Sequence, residues 1–279
     1  MKVIINIGPH KTGTTSLQRA LAEMEKSRAL CTSYYSTKPD ENHSVMVGQA
    51  FSGEYPDYYR SGTNWGRIPS HRTAEQRNEA RKYFISEIRR ASKKKKDLIL
   101  IGECFSLLHP KEVATLKSVL DSEGYNDSKV VAYVRPAEEW ANSYSNQLLK
   151  GWEAITISQI LDCPPVPRYR TFIQKYFDIF GSVNVRQFDK ANFPEGSLWL
   201  DFCSVCGLLD VPKIEKYEKF LGESLNLEAT RCWVYLRKSG VSIFKTRKIM
   251  QHFHSSGVVP NFSLTRNALD HVCRESEQD

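Results

Sequence analysis

The feature of this chain that most limits its fold is a strand, a glycine-containing loop and a helix at its N-terminus. The apolar, β-branched run of residues 3–7 predicts a buried strand. Residues 8–15 follow as a loop, and the apolar spacing of residues 14–25 predicts a helix. A strand, a loop and a helix in this order are also the arrangement found in phosphate-binding loops.

The loop, Gly8-Pro9-His10-Lys11-Thr12-Gly13-Thr14-Thr15, contains the groups needed to hold an anion. Its glycines permit tight turns, and the first amides of the following helix favour a negative charge. Lys11 adds a positive charge, and Thr14 and Thr15 add hydroxyl donors. In the Walker A loop the lysine follows the second glycine, whereas Lys11 precedes Gly13 by two residues. An ordinary turn with a threonine helix cap is the alternative. We interpret the loop as a site for a phosphate or sulfate group.

Further strands and helices alternate along the chain. Buried strands are predicted for residues 97–102, 129–134 and 183–188, and residues 29–35 are a candidate fifth strand. Helices are predicted for residues 74–94, 110–123, 136–150, 170–180, 198–206, 227–238 and 264–275. This alternation predicts an α/β fold, a P-loop-type doubly wound parallel sheet flanked by helices, with a helical C-terminal region.

The length of 279 residues fits one domain spanning the whole chain. Residues 36–72 are rich in Tyr, Ser, Gly, Pro and His, and we expect them to form a long loop inserted on the acceptor side of the site. A disordered insertion is the alternative. Residues 210–279 form the predicted helical C-terminal region.

Charged side chains follow three of the predicted strands. Lys11 lies in the loop after the first, Glu103 follows residues 97–102, and Arg135 ends residues 129–134. Ser143 lies in the helix after Arg135. Because ligands bind outside the carboxyl ends of parallel strands, we expect the lysine, glutamate and arginine to converge on one edge of the sheet.

The composition of the chain indicates which class of ligand it binds and in which cell compartment it works. A net charge of +7 fits an anionic ligand, but the charge is too scattered to indicate nucleic acid. Seven scattered cysteines, including a pair at Cys203 and Cys206 in an apolar helical pattern, favour buried thiols in a reducing compartment over a zinc site. No stretch is apolar and long enough for a signal peptide or a membrane span, so we expect a cytoplasmic protein.

At these positions the chain resembles the sulfotransferases that use 3′-phosphoadenosine 5′-phosphosulfate (PAPS), in particular small bacterial sulfotransferase-like proteins. The loop at residues 9–15 is similar to the family's P-K-S-G-T-T core, with one more residue between proline and lysine. An arginine that ends a strand, with a serine eight residues later, matches Arg135 and Ser143. Glu103 takes the place of the glutamate base of the carbohydrate branch, which includes the heparan-type enzymes.

The resemblance implies an enzyme that moves a sulfuryl group from PAPS to a hydroxyl or amine acceptor, with carbohydrate as the acceptor class. Lys11 would act on the leaving 5′-phosphate, and Glu103 would be the base, with His10 and His109 in reserve. Arg135 and Ser143 would hold the 3′-phosphate. The product would be adenosine 3′,5′-bisphosphate, and no metal is expected. The residues implied in binding the phosphosulfate are Lys11, Thr12, Gly13, Thr14, Thr15 and Ser16.

Two other functions stay open from the sequence. A P-loop nucleotide kinase would share the strand, loop and helix, although the G-K-[ST] step and a clear magnesium-binding aspartate are missing. A non-catalytic protein that binds the nucleotide would also share them. The oligomeric state and the sulfated position are not encoded in these motifs.

Overall fold

The computed structural model describes residues 1–26, 33–34, 43–51, 74–150, 155–208, 227–242, 245–246 and 263–279. Within these residues one five-stranded sheet has the order β2-β3-β1-β4-β5, and all four strand pairings are parallel. The strands are β1 (Lys2–Asn6), β2 (Ser33–Tyr34), β3 (Leu98–Ile101), β4 (Asp127–Val134) and β5 (Asn184–Gln187). The predicted α/β class and parallel sheet are confirmed.

The helices lie between and after these strands. Their bounds are α1 (Thr14–Lys26), α2 (His43–Phe51), α3 (Ala74–Lys93), α4 (Pro110–Ser122), α5 (Ala137–Leu149), α6 (Ile157–Asp162), α7 (Tyr169–Phe180), α8 (Leu198–Cys206), α9 (Leu227–Lys238) and α10 (Arg266–Gln278). Helices α9 and α10 agree with the predicted helical C-terminal region. A 3₁₀ helix, Glu103–Leu107, follows β3.

Two helices differ from the prediction. Helix α2 lies within residues 36–72, which were expected to form a long loop, and the short helix α6 was not predicted. The remainder of residues 36–72 lies outside the described residues, so the acceptor-side role of this segment stays a prediction. Val47, Ala50 and Phe51 of α2 are buried and stand at the i, i+3, i+4 spacing of one helix face.

Apolar packing fixes helix α1 against the sheet and thereby positions the loop that precedes it. Ile4 of β1 and Ile99 of β3 share one core cluster with Leu17 and Leu21 of α1 and with Phe202 of α8. All five side chains are almost fully buried, and each contributes about 1.5–3 kcal/mol through burial. The strand and the helix on either side of the loop are therefore both anchored.

The chain divides into two compact units, and neither is continuous in sequence. The first comprises Met1–Pro56, His71–Arg135 and Arg170–Leu221, and it contains the sheet. The second comprises Asp57–Ser70, Pro136–Tyr169 and Gly222–Asp279. Within the second unit, α5 and α10 share an apolar cluster that includes Trp140, Leu264 and Val272. The single domain expected from the sequence stays a prediction.

A buried carboxylate joins two strands of the first unit to helix α8. Asp201 is 1% exposed and accepts a hydrogen bond of 2.8 Å from the Tyr133 hydroxyl. The Arg186 guanidinium donates two hydrogen bonds to the same carboxylate. Burial and the adjacent Asp201 raise the pKa of Tyr133, so this phenol remains a neutral donor.

Replacing Asp201 by alanine is expected to destabilise the protein by about 2–3 kcal/mol. The variant leaves a buried hydroxyl and a guanidinium without their acceptor, and the half-exposed Arg186 keeps the effect below that of a fully buried ion pair. Asp127→Ala, at an exposed position of β4, is the matched control and should change stability by about 0.5 kcal/mol or less. Denaturant unfolding measures both. Equal stabilities of the two variants would show that the Asp201 contacts contribute nothing net.

Candidate active site

The glycine-containing loop has a backbone shape suited to holding an anion. Lys11 has a φ of 70° and Gly13 a φ of 78°, so two residues on either side of Thr12 are left-handed. Such alternation turns successive N–H groups toward one side, as in anion-binding nests. Two side chains stabilise the loop from within. The Asn6 side chain accepts from the Gly8 amide at 2.9 Å, and the Thr12 hydroxyl donates to the Pro9 carbonyl at 2.7 Å.

The loop packs against two side chains that follow β5 in the chain, Phe188 and Leu198. A methyl group added at Gly13 would overlap Leu198 Cδ2 and lie 2.9 Å from Phe188 Cε2. Glycine is therefore required at this position by both its φ and its closeness to these side chains. The Phe188 amide donates to the Val134 carbonyl at 2.6 Å, which fixes the ring beside the end of β4.

Glu103 contacts two residues of the loop directly. Its Oε1 accepts a hydrogen bond of 3.0 Å from the Thr14 hydroxyl, and its Oε2 lies 2.5 Å from His10 Nδ1. Burial opposes ionisation of Glu103. His10, the Thr14 hydroxyl and the nearby Lys11 outweigh that effect and hold the pKa of the carboxyl below its ordinary value. The structure thus brings together three of the predicted residues, His10, Lys11 and Glu103.

The turn that carries Glu103 is held by side chains from distant parts of the chain. Ser44 Oγ, in α2, accepts from the Glu103 amide at 2.5 Å and from the Cys104 amide at 3.3 Å. Lys175 Nζ, in α7, donates to the carbonyls of Ser106 (2.7 Å) and Leu108 (2.5 Å). Burial lowers the pKa of Lys175 to about 8. Ser44 and Lys175 thus limit the movement of the turn that presents Glu103.

Lys11 lies near this carboxylate, and Arg135 lies near Lys11. Burial lowers the pKa of Lys11, the positive charge of Arg135 lowers it further, and Glu103 opposes both. The Arg135 guanidinium lies 4.4 Å from the centre of the Phe188 ring, within the range of a cation–π interaction. Asn6 is paired in register with Ile101 of β3 and Val131 of β4. The residues after these three strands therefore meet at one edge of the sheet, as predicted.

The structure describes four other predicted site residues, but their contacts do not define a role: Thr15, Ser16, Ser143 and His109. Thr15 is exposed and Ser16 is half-buried at the start of α1. Ser143 lies in α5, in the second unit, and its role in holding a 3′-phosphate stays a prediction. His109 is exposed and precedes α4, where its amide donates to Glu112 Oε2 at 2.8 Å.

Four residues that position the site were not identified from the sequence. They are Asn6, Ser44, Lys175 and Phe188, and each acts on the loop or on the Glu103 turn. Three of them are separated from their partners by more than 50 residues, so no local pattern marks them. The fourth, Asn6, lies within the predicted first strand, residues 3–7, where an asparagine is unusual enough to indicate a side-chain contact to the following turn.

The described residues contain neither a cluster of metal-binding side chains nor a membrane-spanning helix. Among the described residues, no three or more His, Cys, Asp and Glu side chains are grouped so as to hold a metal ion. None of the helices in the described ranges is long and apolar enough to cross a membrane. Cys203 and Cys206 are both buried in α8, as the apolar pattern predicted.

Together the parallel sheet and the cationic edge define an α/β protein whose first strand and helix are joined by a loop with two left-handed residues, a backbone shape suited to an anion. The chain matches the family described as the sulfotransferase domain over residues 3–196. It belongs to that family, and it is accordingly a transferase of the sulfuryl-transfer class. Neither a curated protein nor a solved structure matched the chain.

Proposed function

We propose that the protein transfers a sulfuryl group from PAPS to a hydroxyl or amine group of an acceptor, with a carbohydrate as the acceptor class. The observation that carries this proposal is the meeting of Lys11, Arg135 and Glu103 beside one loop at the carboxyl edge of the sheet. Two cations suit a donor that carries several negative charges, and the pair formed by Glu103 and His10 suits proton removal from the acceptor.

Each group has a role that follows from its chemistry. The amides of the loop and of the start of α1 would hold the phosphosulfate, as helix N-termini hold phosphates elsewhere. Lys11 would neutralise the negative charge that develops on the 5′-phosphate as it leaves. Arg135 would bind the 3′-phosphate, a task for which a planar guanidinium is well suited, and Ser143 is its proposed partner.

The reaction is a direct displacement at sulfur. The acceptor oxygen forms a bond to sulfur while the bond from sulfur to the bridging oxygen of the 5′-phosphate breaks, and adenosine 3′,5′-bisphosphate leaves with the electron pair. The acceptor proton passes to the pair formed by His10 and Glu103. In-line alignment and charge neutralisation are the main requirements, as in phosphoryl transfer.

A carbohydrate acceptor is supported by the resemblance, because Glu103 follows strand β3 at the place of the glutamate of the carbohydrate branch. The described residues around Glu103 provide hydrogen-bonding groups, among them the Thr14 hydroxyl, that also suit a polar acceptor.

Transfer from PAPS is the experiment that tests this function. We expect labelled PAPS to yield adenosine 3′,5′-bisphosphate and a labelled product with a member of a panel of sugars, phenols and lipid alcohols. Calorimetry should show that the bisphosphate binds without magnesium and at least about tenfold more tightly than magnesium-ATP, a difference of about 1.4 kcal/mol. Preferred binding of magnesium-ATP with phosphoryl transfer would identify a kinase. Tight binding of the bisphosphate without turnover on the whole panel would identify a nucleotide-binding protein.

A further inference from the structure

We propose that His10 is the group that takes the proton from the acceptor. Glu103 is then a positioning residue, which orients the imidazole ring of His10 and stabilises the positive charge that the ring gains. This inference rests on the proposed function, and it reverses the order of the two residues expected from the sequence. It follows from one arrangement, in which His10 Nδ1 lies 2.5 Å from Glu103 Oε2 while Thr14 donates to Glu103 Oε1.

The Glu103 carboxylate is poorly placed to be the base itself. Both of its oxygens are already engaged, one by His10 and the other by the Thr14 hydroxyl. His10, Thr14 and Lys11 together keep the pKa of Glu103 below its ordinary value in spite of burial. A general base works best when its pKa is near the working pH, and a carboxylate that is held ionised accepts a proton weakly.

The imidazole of His10 offers a second nitrogen for the acceptor proton. Its Nδ1 lies 2.5 Å from Glu103 Oε2, and a neutral ring that carries its hydrogen on Nδ1 has its lone pair on Nε2. When Nε2 accepts a proton, the ring becomes an imidazolium beside a carboxylate, which stabilises that charge. This is the relation between histidine and aspartate in a catalytic triad, where the acid orients the base without being protonated.

The backbone holds His10 close to the reacting groups. His10 is 5% exposed and precedes Lys11 in the loop, so the base and the cation that would act on the leaving group are adjacent in the chain.

The proton is accounted for at each stage. The acceptor O–H bond breaks and its proton moves to Nε2 of His10, while the acceptor oxygen attacks sulfur and the bridging S–O bond breaks. After the sulfated product and adenosine 3′,5′-bisphosphate leave, the imidazolium returns its proton to water. Glu103 stays ionised throughout.

Substitutions that separate the two roles test the inference. His10→Asn keeps an N–H donor near the position of Nδ1 but removes the group that accepts a proton. It should reduce kcat by about 10²–10⁴-fold, with the affinity for adenosine 3′,5′-bisphosphate, measured by calorimetry, changed by less than about threefold. His10→Ala should lose as much activity and regain part of it on addition of imidazole. His271→Ala, at an exposed histidine of α10, is the matched control and should keep parental activity.

A double variant distinguishes a positioning role for Glu103 from a purely structural one. Glu103→Gln removes the negative charge beside the His10 ring and should reduce kcat by about 10-fold or more. The His10→Asn, Glu103→Gln double variant should be no slower than His10→Asn alone, because the two residues act as a unit.

Two results would overturn the inference while leaving the proposed function intact. One is near-parental kcat in His10→Asn with collapse in Glu103→Gln, which would make the carboxylate the base. The other is the absence of imidazole rescue together with additive losses in the double variant. If the parent protein neither binds the bisphosphate nor transfers sulfuryl groups, the proposed function fails and the inference fails with it.

Discussion

Replacement of Lys11 by alanine is expected to reduce sulfuryl transfer from PAPS by on the order of 10²–10³-fold. The lysine would act mainly on charge that appears in the transition state, and removal of one such stabilising group in other enzymes has an effect of this size. The affinity for adenosine 3′,5′-bisphosphate should fall by less than about tenfold, because the loop amides and Arg135 still bind it. Single-turnover kinetics and calorimetry measure the two quantities separately.

The chain offers a matched control for this substitution. Lys95 is also a lysine with a left-handed backbone, with a φ of 51° against 70° for Lys11, but it is exposed after helix α3. Lys95→Ala therefore carries the same change of side chain at a similar backbone conformation, away from the site. We expect it to keep parental turnover and affinity. Equal losses in the two variants, or a Lys11→Ala enzyme within about tenfold of the parent, would contradict the role assigned to Lys11.

The positions of the strands were predictable because their sequences are distinctive. The runs around Ile4, Ile99 and Val131 are β-branched, short and bounded by polar or glycine residues, which leaves few alternatives to a buried parallel strand. Apart from α2 and α6, each observed strand or helix begins and ends within a few residues of its predicted bounds. The meeting of Lys11, Glu103 and Arg135 then followed from a general property of parallel sheets, whose strand ends share one edge.

The relation between His10 and Glu103 was beyond the sequence for a physical reason. The direction of the His10 side chain depends on the backbone angles of the loop, and Lys11 has the left-handed conformation that is uncommon for a lysine. No propensity rule assigns that conformation to a lysine. The support that Ser44 and Lys175 give to the Glu103 turn depends on tertiary contacts across 59 or more residues, which single-sequence periodicity does not report.

Gly13→Ala is expected to have the second large effect, on both stability and ligand binding. A side chain at a φ of 78° costs roughly 1–2 kcal/mol. The added methyl group would also overlap Leu198 Cδ2 and approach Phe188 Cε2 to 2.9 Å, and overpacking of this kind costs about 1–3 kcal/mol more. Because relief of the overlap displaces the loop amides, affinity for adenosine 3′,5′-bisphosphate should fall by about 100-fold, the loss of one or two charge-assisted hydrogen bonds.

Gly181→Ala measures the cost of the left-handed conformation without the cost of the overlap. Gly181 has a φ of 81°, and no heavy atom lies within 4 Å of an added methyl group. It should lose only the roughly 1–2 kcal/mol that the left-handed conformation costs, with ligand affinity unchanged. A double-mutant cycle with Leu198→Ala then tests the overlap directly. Removal of the Leu198 side chain makes room for the methyl group, so the double variant should be more stable than the sum of the single losses by about 1 kcal/mol or more. Additive losses of stability in the double variant would show that the loop does not depend on its close packing against Leu198 and Phe188. Equal losses of stability and affinity in Gly13→Ala and Gly181→Ala would show the same.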